Sequence, residues 1–409
     1  MKTVMIIGAG RAQIPLIEAA RKEAYRTLVC DISPSAPGAA LADEFLRVST
    51  RDREGLLKAG KAGRIDGVVA NSEYAMCDLA YIAAELGLVG NPEDAVATLS
   101  SKSAFRLLQK KEGLFAPAFL EDASLERLLS GPGALSYPIL IKPDQGSGTR
   151  SVAVITDPRD REAVRRAIHA ARTVSRNGKA MGEEFVPMTA HRVIEGEIFL
   201  HHGEILWDGL FHTVRSRTLP MIPMTYVFPL CEEETGNRRL KEALTKAFRA
   251  AGIVHGEYNI EMYFTPEGEP FLIELNPRQG GNDLPRYVRE SCGIDLTRLL
   301  VTTAMGDDAY WNSLRHSPRS QKRLIHHMLY PHTGGILKGL SIDDSIYARV
   351  LRIHMNPVVG DPIKKTRDGS YDIGYVDLCF DDAEEQMSAA MRMEELIRIE
   401  IGQVQNDTI

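Results

Sequence analysis

Cysteine is scarce in this 409-residue chain, with five residues (Cys30, Cys77, Cys231, Cys292, Cys379), an odd number without CxxC spacing. That excludes a disulfide scaffold and predicts free, mostly buried thiols in a reducing cytoplasm. An excess of positive charge is also lacking. Lys and Arg total 49 against 55 Asp and Glu, a formal charge of −6, so no basic field recruits nucleic acid or an anionic membrane. No apolar run approaches the ~18 residues of a membrane span. The opening MKTVMIIGAG has an apolar run shorter than the roughly 7–15 residues of a signal peptide and reads as a first strand. There is no internal repeat and no low-complexity linker. The 44% hydrophobic and 25% charged fractions are those of an ordinary globular protein.

The first third alternates short apolar runs with helical segments. TVMII, TLVCDIS, EFLRVS and DGVVANSE read as strands, and IPLIEAARKE, DREGLLKAGKAG and AMCDLAYIAAELGL as helices. This order implies parallel βαβ units, whose ligands bind at the carboxyl ends of the strands. The texture changes after Gly90-Asn91-Pro92. A charged helix over 101–112 leads to strand, glycine turn and strand (YPILIKP, DQGSGTRS, VAVI), and then to a helix before EEFV. The stretch 192–213 reads as antiparallel, with turn signals at Glu195-Gly196 and His202-Gly203. A helix over 237–251 and the hairpin NIEMYF–TPEGEP–FLIELNPR follow. The last ninety residues hold the strands LIHHMLY, ARVLRIH and GYVDLCF and a closing helix over DDAEEQMSAAMRMEELIRIEI. The expected fold class is mixed α/β and α+β, with units over 1–95, 96–310 and 311–409.

Three constellations can carry chemistry. Gly8-Ala9-Gly10 follows the first strand and Asp31 ends the second, but Gln13 stands where a dinucleotide fingerprint has its third glycine. The tight turn alone requires these glycines, so a structural or substrate-binding turn is the preferred reading over NAD binding. Lys142 ends an apolar strand and runs into Gly146-Ser147-Gly148-Thr149, a turn able to fold backbone N–H groups over phosphates. A hairpin turn with an extended lysine is the plainer reading. The third is the most specific. Period-two alternation puts Glu274 and Asn276 on one face, and the hairpin brings Glu261 opposite them. Two carboxylates and an amide oxygen suit Mg²⁺, and Arg278 continues the face toward Gly280-Gly281.

Taken together, these features resemble the ATP-grasp superfamily of carboxylate–amine ligases over roughly residues 1–305. The matching pieces are the N-terminal βαβ unit, Lys102 in SKSAFR, IKPDQGSGTR, EEFV, and above all the IEM…IELNPRQGG pair. The chain is most similar to L-amino-acid ligases and carbamoyl-phosphate-synthase-like single-chain ligases, and less so to biotin-carboxylase-type enzymes. The resemblance implies ATP between two α+β subdomains, with Lys102 and Lys142 on its phosphates and the 145–150 loop closing over them. Glu183, Glu184, Phe185 and Val186 would supply backbone hydrogen bonds to adenine. Glu261, Glu274 and Asn276 would hold Mg²⁺, two ions in the usual pattern with Mn²⁺ able to substitute, and Arg278 would steady an acyl phosphate. One departure is His191, which stands where a ribose-binding Glu is usual, with Glu197 as a shifted candidate.

The implied activity is ATP-dependent joining of a small carboxylate, such as an amino acid, to an amine through an acyl phosphate. The alternatives are carboxylation or formylation of a purine precursor and, from another class, an NAD-linked oxidoreductase built on the GAG turn. Substrate candidates are fewer. Glu73, after Ser72, binds an amine or caps the helix near Ala75, while Arg215, Arg217 and Arg286 clamp a substrate carboxylate or lie on the surface. His212 is a base or a structural residue. The cluster of His326, His327 and His332 lacks metal spacing, and Met221, Met224 and Phe228 read as pocket or core lining. Small molecules are the expected partners, and a homodimer is the prior for soluble enzymes of this size.

Overall fold

The computed structural model describes residues 1–130, 135–187, 192–219, 222–230, 234–315 and 321–402. β1 (Thr3–Ile7), α1 (Ile14–Lys22), β2 (Arg26–Asp31), β3 (Glu44–Arg47), α2 (Arg53–Gly63), β4 (Gly67–Val69) and α3 (Met76–Leu86) build a parallel sheet in the order β3-β2-β1-β4. All of β1 is buried, as a continuous apolar strand covered on both faces must be. Pro15 stands in the first turn of α1, where its missing N–H costs nothing, and the Asp52 carboxylate caps α2 through the Gly55 N–H. In the GAG turn, the Ala9 N–H donates to Asp31 (2.8 Å) and the Gly10 N–H to Gln13 Oε1 (2.9 Å). Gln13 also packs its side chain against Gly8, 3.1 Å from where a Cβ would stand. The chain's own side chains therefore take two of the turn's donors, which weighs against a pyrophosphate there.

A second unit follows from α4 (Glu93–Ser100), α5 (Lys102–Lys111), β5 (Phe119–Glu121), α6 (Arg127–Ser130), β6 (Ile139–Pro143), β7 (Ala153–Ile155), α7 (Arg161–Val174) and β8 (Ala180–Glu184). Its antiparallel sheet has the order β5-β8-β6-β7. Val164, Ala167, Ile168 and Ala171, at helical spacing on α7, pack on Ile139 and Ile141.

The remaining elements are β9 (Arg192–His201), β10 (Glu204–Leu206), β11 (Leu210–Arg215), β12 (Pro223–Phe228), α8 (Glu234–Ala251), β13 (Gly256–Phe264), β14 (Pro270–Asn276), α9 (Leu284–Cys292), α10 (Leu296–Ala304) and α11 (Ala309–Leu314). After them come β15 (Arg323–Met328), β16 (Gly335–Ile342), α12 (Asp344–Tyr347), β17 (Val350–Met355), β18 (Pro362–Ile363), β19 (Gly374–Phe380), α13 (Ala383–Ala390), α14 (Met393–Leu396) and β20 (Ile397–Gly402). The large antiparallel sheet runs β14-β13-β9-β11-β12-β15-β19-β17, with β10 beside β9, so it continues across position 310. A small sheet, β18-β16-β20, closes the chain. One face of β9, β13 and β14 buries Ile194, Ile198, Leu200, Ile260, Met262 and Leu275 against Leu240, Leu244 and Phe248 of α8. Alternation then turns Glu195, Glu197, Asn259, Glu261, Glu274 and Asn276 to the other face.

Two expectations are corrected. Glu195-Gly196 is no turn but lies inside β9, with Gly196 opposite Leu210 and Ile260. A Cβ there would stand 2.7 Å from Leu210 Cδ2 and 3.1 Å from Ile260 Cγ1, so glycine makes room for its cross-strand neighbours. His202-Gly203 is the actual turn, both residues left-handed. The closing helix breaks into α13 and α14 and then becomes β20. Ile397, Ile399 and Ile401 alternate with exposed Arg398 and Glu400, and that period of two is a strand's. Among the described residues, no helix is long and apolar enough to cross a membrane. Replacing Gly196 with Val overpacks this strand. Chemical denaturation of Gly196→Val should show a loss of about 1–3 kcal/mol against wild type, and an unchanged midpoint would contradict the packing described.

Candidate nucleotide and metal site

Two lysines and a buried carboxylate organise one wall of the cleft. Asp144, just past β6, accepts hydrogen bonds from Ser101 Oγ (2.8 Å), the Ser103 N–H (2.8 Å), Ser103 Oγ (2.6 Å) and Asn177 Nδ2 (2.7 Å). Burial opposes its ionisation, but these donors hold the carboxyl below the usual range. The glycine turn is thereby fastened to the start of α5, and Lys102 Nζ reaches Gly146 O (2.9 Å) and Glu274 Oε1 (3.2 Å). Thr149 lines the cleft itself, with Gly148 and Thr149 both left-handed. Lys142 is buried and paired with Glu183, whose other oxygen accepts from Arg106 Nε at 2.9 Å. Burial favours neutral Glu183, yet the Arg106 guanidinium and Lys142 ammonium outweigh it and hold the carboxyl at about 2. Burial draws the Lys142 ammonium down against the pull of Glu183.

The hinge residues Glu183, Glu184, Phe185 and Val186 line the cleft. The side chain of Glu183 is the centre of this ion pair. The Glu184 N–H donates to Ala118 O (2.9 Å), the Phe185 N–H donates to Pro138 O (2.9 Å), and Val186 O accepts from Tyr263 Oη (2.6 Å). Those backbone groups are satisfied within the protein, and apolar Leu140, Phe271 and Ile273 wall the adjoining cavity. His191 lies outside the described residues. Glu197, the shifted ribose candidate, is fully buried and accepts from Asn259 Nδ2 (2.6 Å) and the Gly280 N–H (2.8 Å), so it serves the glycine loop instead. Gly280 has no room for a Cβ, which would stand 2.1 Å from Glu197 Oε1, whereas Gly281 faces open space.

The opposite wall is the sheet. Glu261 pairs directly with Glu274 and Asn259 with Asn276, and a bulge beyond Glu261 turns Ile273 as well as Glu274 into the cleft. Arg106 Nη1 satisfies the carbonyls of Leu272 (3.2 Å) and Ile273 (3.1 Å) at that bulge. Burial raises the Glu261 carboxyl against the pull of Arg215, 2.9 Å away, with Glu274 adding to the rise. Burial works the same way on Glu274, but Lys102 and Lys142 prevail and hold it ionised. Glu195, opposite Glu261 on β9, is pushed up to about 8 by burial and by Glu261, and its Oε1 has no hydrogen-bond partner among the described residues. Facing carboxylates with an orphaned buried oxygen beside them fit a hard divalent cation such as Mg²⁺ at Glu261, Glu274 and Asn276.

Arg278 reaches Gln279 O (2.9 Å), Asn259 Oδ1 (3.4 Å) and Glu73 Oε2 (3.7 Å), and Glu73 also pairs with Arg176 at 3.1 Å. Glu73 is thus neither a free amine site nor a helix cap, and the Ser72 side chain makes no capping bond. Arg215 belongs to the carboxylate face. Arg286 pairs with Glu290 (3.0 Å), Asp377 (3.6 Å) and Asp283 (3.7 Å) and borders a cavity between α1 and the 279–298 stretch. Arg217 turns to Glu394 and Glu395. His212, Met224 and Phe228 are buried, His326 bonds Asp377, His327 bonds Thr225, and Met221 lies outside the described residues. The residues missed from sequence are Glu195, Glu257 and Asn259. Extending the period-two reading back along β13 and across to β9 would have found them.

The Glu183 ion pair generates a pH prediction. Its contribution is present in full above the unfolded-chain value near 4.5 and is lost as pH falls toward about 2. In Glu183→Gln, Arg106 and Lys142 lose their counter-charge, so stability at neutral pH should drop by about 3 kcal/mol. Denaturant midpoints of wild type and variant should converge below pH 4.5; a constant gap down to pH 2.5 would contradict the ion pair.

No family model matches the chain. It is similar to the L-arginine-specific L-amino acid ligase of Bacillus subtilis, 22% identical over 338 residues that cover 81% of this chain and 79% of that protein. It is 26% identical to carnosine synthase 1 of Gallus gallus over 351 residues, 78% of this chain but only 37% of that longer protein. Among solved structures, the L-amino acid ligase of Bacillus licheniformis matches with a TM-score of 0.77 at 20% identity, covering 98% of this chain and 99% of that one. The N5-carboxyaminoimidazole ribonucleotide synthetase of Thermotoga maritima matches with a TM-score of 0.67 at 20% identity, over 98% and 100%. These relatives and structural neighbours are ATP-grasp ligases, and the chain shares their fold over nearly its whole length.

Proposed function

We propose that the chain uses ATP to phosphorylate the carboxylate of an amino acid or similar small acid and joins the resulting acyl phosphate to an amine, releasing ADP and phosphate. The observation that carries this reading is the facing pair Glu261 and Glu274, with Lys102 and Lys142 on one side of it and Arg278 on the side of the N-terminal unit. A carboxylate does not react with an amine at neutral pH, because oxide is its leaving group. The γ-phosphoryl group of ATP supplies a better one, and its transfer needs positioning and charge stabilisation rather than covalent help. Lys102 and Lys142 would hold the phosphates, and the loop carrying Gly146, Ser147, Gly148 and Thr149 would close over them and keep water from the acyl phosphate. Glu261, Glu274 and Asn276 would hold two Mg²⁺ ions, or Mn²⁺, which supply neutralisation of the polyphosphate. Arg278 would steady the acyl phosphate. The acid and amine would enter through the cavity between α1 and Gly280, at the carboxyl ends of the parallel strands.

One observation favours a second reading, carboxylation of a purine precursor. Arg11, Arg286, Arg289 and Arg298 border that same cavity, and cations there would suit a sugar phosphate. Product analysis separates the two. Mg-ATP with paired pools of amino acids and amines should give ADP, phosphate and a new amide mass only when both partners are present. ADP formed with bicarbonate would favour the second reading, and AMP with pyrophosphate would exclude an acyl phosphate. Glu274→Gln keeps the shape of the site but removes charge from the metal face. Its turnover should fall roughly 100- to 1000-fold at an unchanged unfolding midpoint, and near-normal turnover would remove the metal assignment.

A further inference from the structure

At the far end of β9 from the cleft, three imidazoles and a carboxylate converge. His201 closes β9, His202 makes the turn into β10, His255 precedes β13, and Asp308 precedes α11. His201 Nε2 lies 2.9 Å from Asp308 Oδ1, and His202 Nε2 lies 4.0 Å from the same oxygen. Donors about 2.1 Å from a tetrahedral ion stand roughly 3.4 Å from one another, so the two separations bracket that spacing. His201 Nε2 is buried and, despite its short contact, lacks the alignment of a hydrogen bond. Its Nδ1 is anchored 3.2 Å from Thr303 Oγ1, the outer contact that turns the other nitrogen of a ligating histidine inward. His255 completes the group from behind, its Nδ1 accepting from the His202 N–H at 3.4 Å and its ring centroid 4.7 Å from that of His202.

We propose that His201, His202 and Asp308 form a binding site for one divalent transition-metal ion, zinc being the type. Neutral imidazole nitrogens with a single carboxylate oxygen select such an ion over Mg²⁺ or Ca²⁺, which prefer oxygen alone. The side chains of His202 and Asp308 are 66% and 50% exposed, which gives the ion an entry path and leaves its fourth position to water. From Glu195 to His201 along β9 is ~20 Å at ~3.4 Å per residue, so the site is separate from the nucleotide cleft. An ion there would tie the β9–β10 turn to the start of α11. The preceding helix, α10, packs on α1 and β4, so the tie would reach the N-terminal unit.

The test uses the full chain stripped with a chelator and titrated with zinc chloride by calorimetry, with cobalt(II) as an optical probe. One saturable equivalent of zinc, visible-region cobalt bands of a low-symmetry site with nitrogen ligands, and a Tm raised by about 2–4 °C are expected. His202→Asn and Asp308→Asn, both at exposed positions, should keep the metal-free Tm and weaken zinc binding by at least about 10-fold. Glu274→Gln should retain the equivalent. No saturable zinc binding, an equivalent that survives in both His202→Asn and Asp308→Asn, or one lost in Glu274→Gln instead would overturn the proposal.

Discussion

Like charges packed on one sheet face repel, and that repulsion is the constraint around which this molecule is arranged. Glu195, Glu197, Glu257, Glu261 and Glu274 stand on neighbouring strands, on the face opposite the α8 core. Burial alone would neutralise all of them. Glu195, Glu197, Glu257 and Glu261 do rise, to about 8 and about 7 for the first two, while Glu274 is held ionised by its lysines. The face persists because four of the five carboxylates have a specific compensation: Arg215 for Glu261, Lys102 for Glu274, Asn259 and the Gly280 amide for Glu197, and Gln279 for Glu257. Among the described residues, compensation leaves Glu195 Oε1 and Glu257 Oε1 without a hydrogen-bond partner, and Glu195 stands opposite Glu261, where a divalent cation would lower the energy of the set.

The surrounding contacts fasten the neighbouring elements to this face. Asp144 ties the glycine turn to α5, which sets the position of Lys102. Arg106 spans from Glu183 on the small sheet to the bulge carbonyls of β14 on the large one. The N-terminal unit is joined through Glu73, which reaches Arg278 and Arg176. These are buried or half-buried ion pairs, whose strength comes from fixed geometry rather than from charge alone. They make the cleft a rigid frame with a glycine turn at its lip, an arrangement suited to transferring a phosphoryl group away from water.

Where a period or a turn chemistry governs an element locally, the sequence was legible. The period-two pairs Glu261/Glu274 and Asn276 came out face to face, and the parallel βαβ order and the position of the 145–150 turn held. Reading failed where neighbours outside the local window decide. Gly196 looked like a turn because glycine marks turns, but it is there because Leu210 and Ile260 need the space. The final Ile-Arg-Ile-Glu-Ile run was absorbed into a helix because nothing nearby shows that β16 waits beside it. Glu183 was expected to offer only its backbone, since Arg106 is far away in sequence.

By itself, the sequence determined which residues alternate, which turns need glycine, and which side chains have the chemistry to hold phosphate and a hard cation. These follow from bond geometry and side-chain type, and both are local. Only the tertiary structure decided which of those groups are already paired. It committed Glu73 to Arg176 and Arg278, Glu197 to Asn259, and Arg286 to Glu290, and it brought His201, His202 and Asp308 together across more than a hundred positions. Pairing of that kind depends on distances between distant segments, which are set by how whole sheets and helices pack and not by any spacing along the chain.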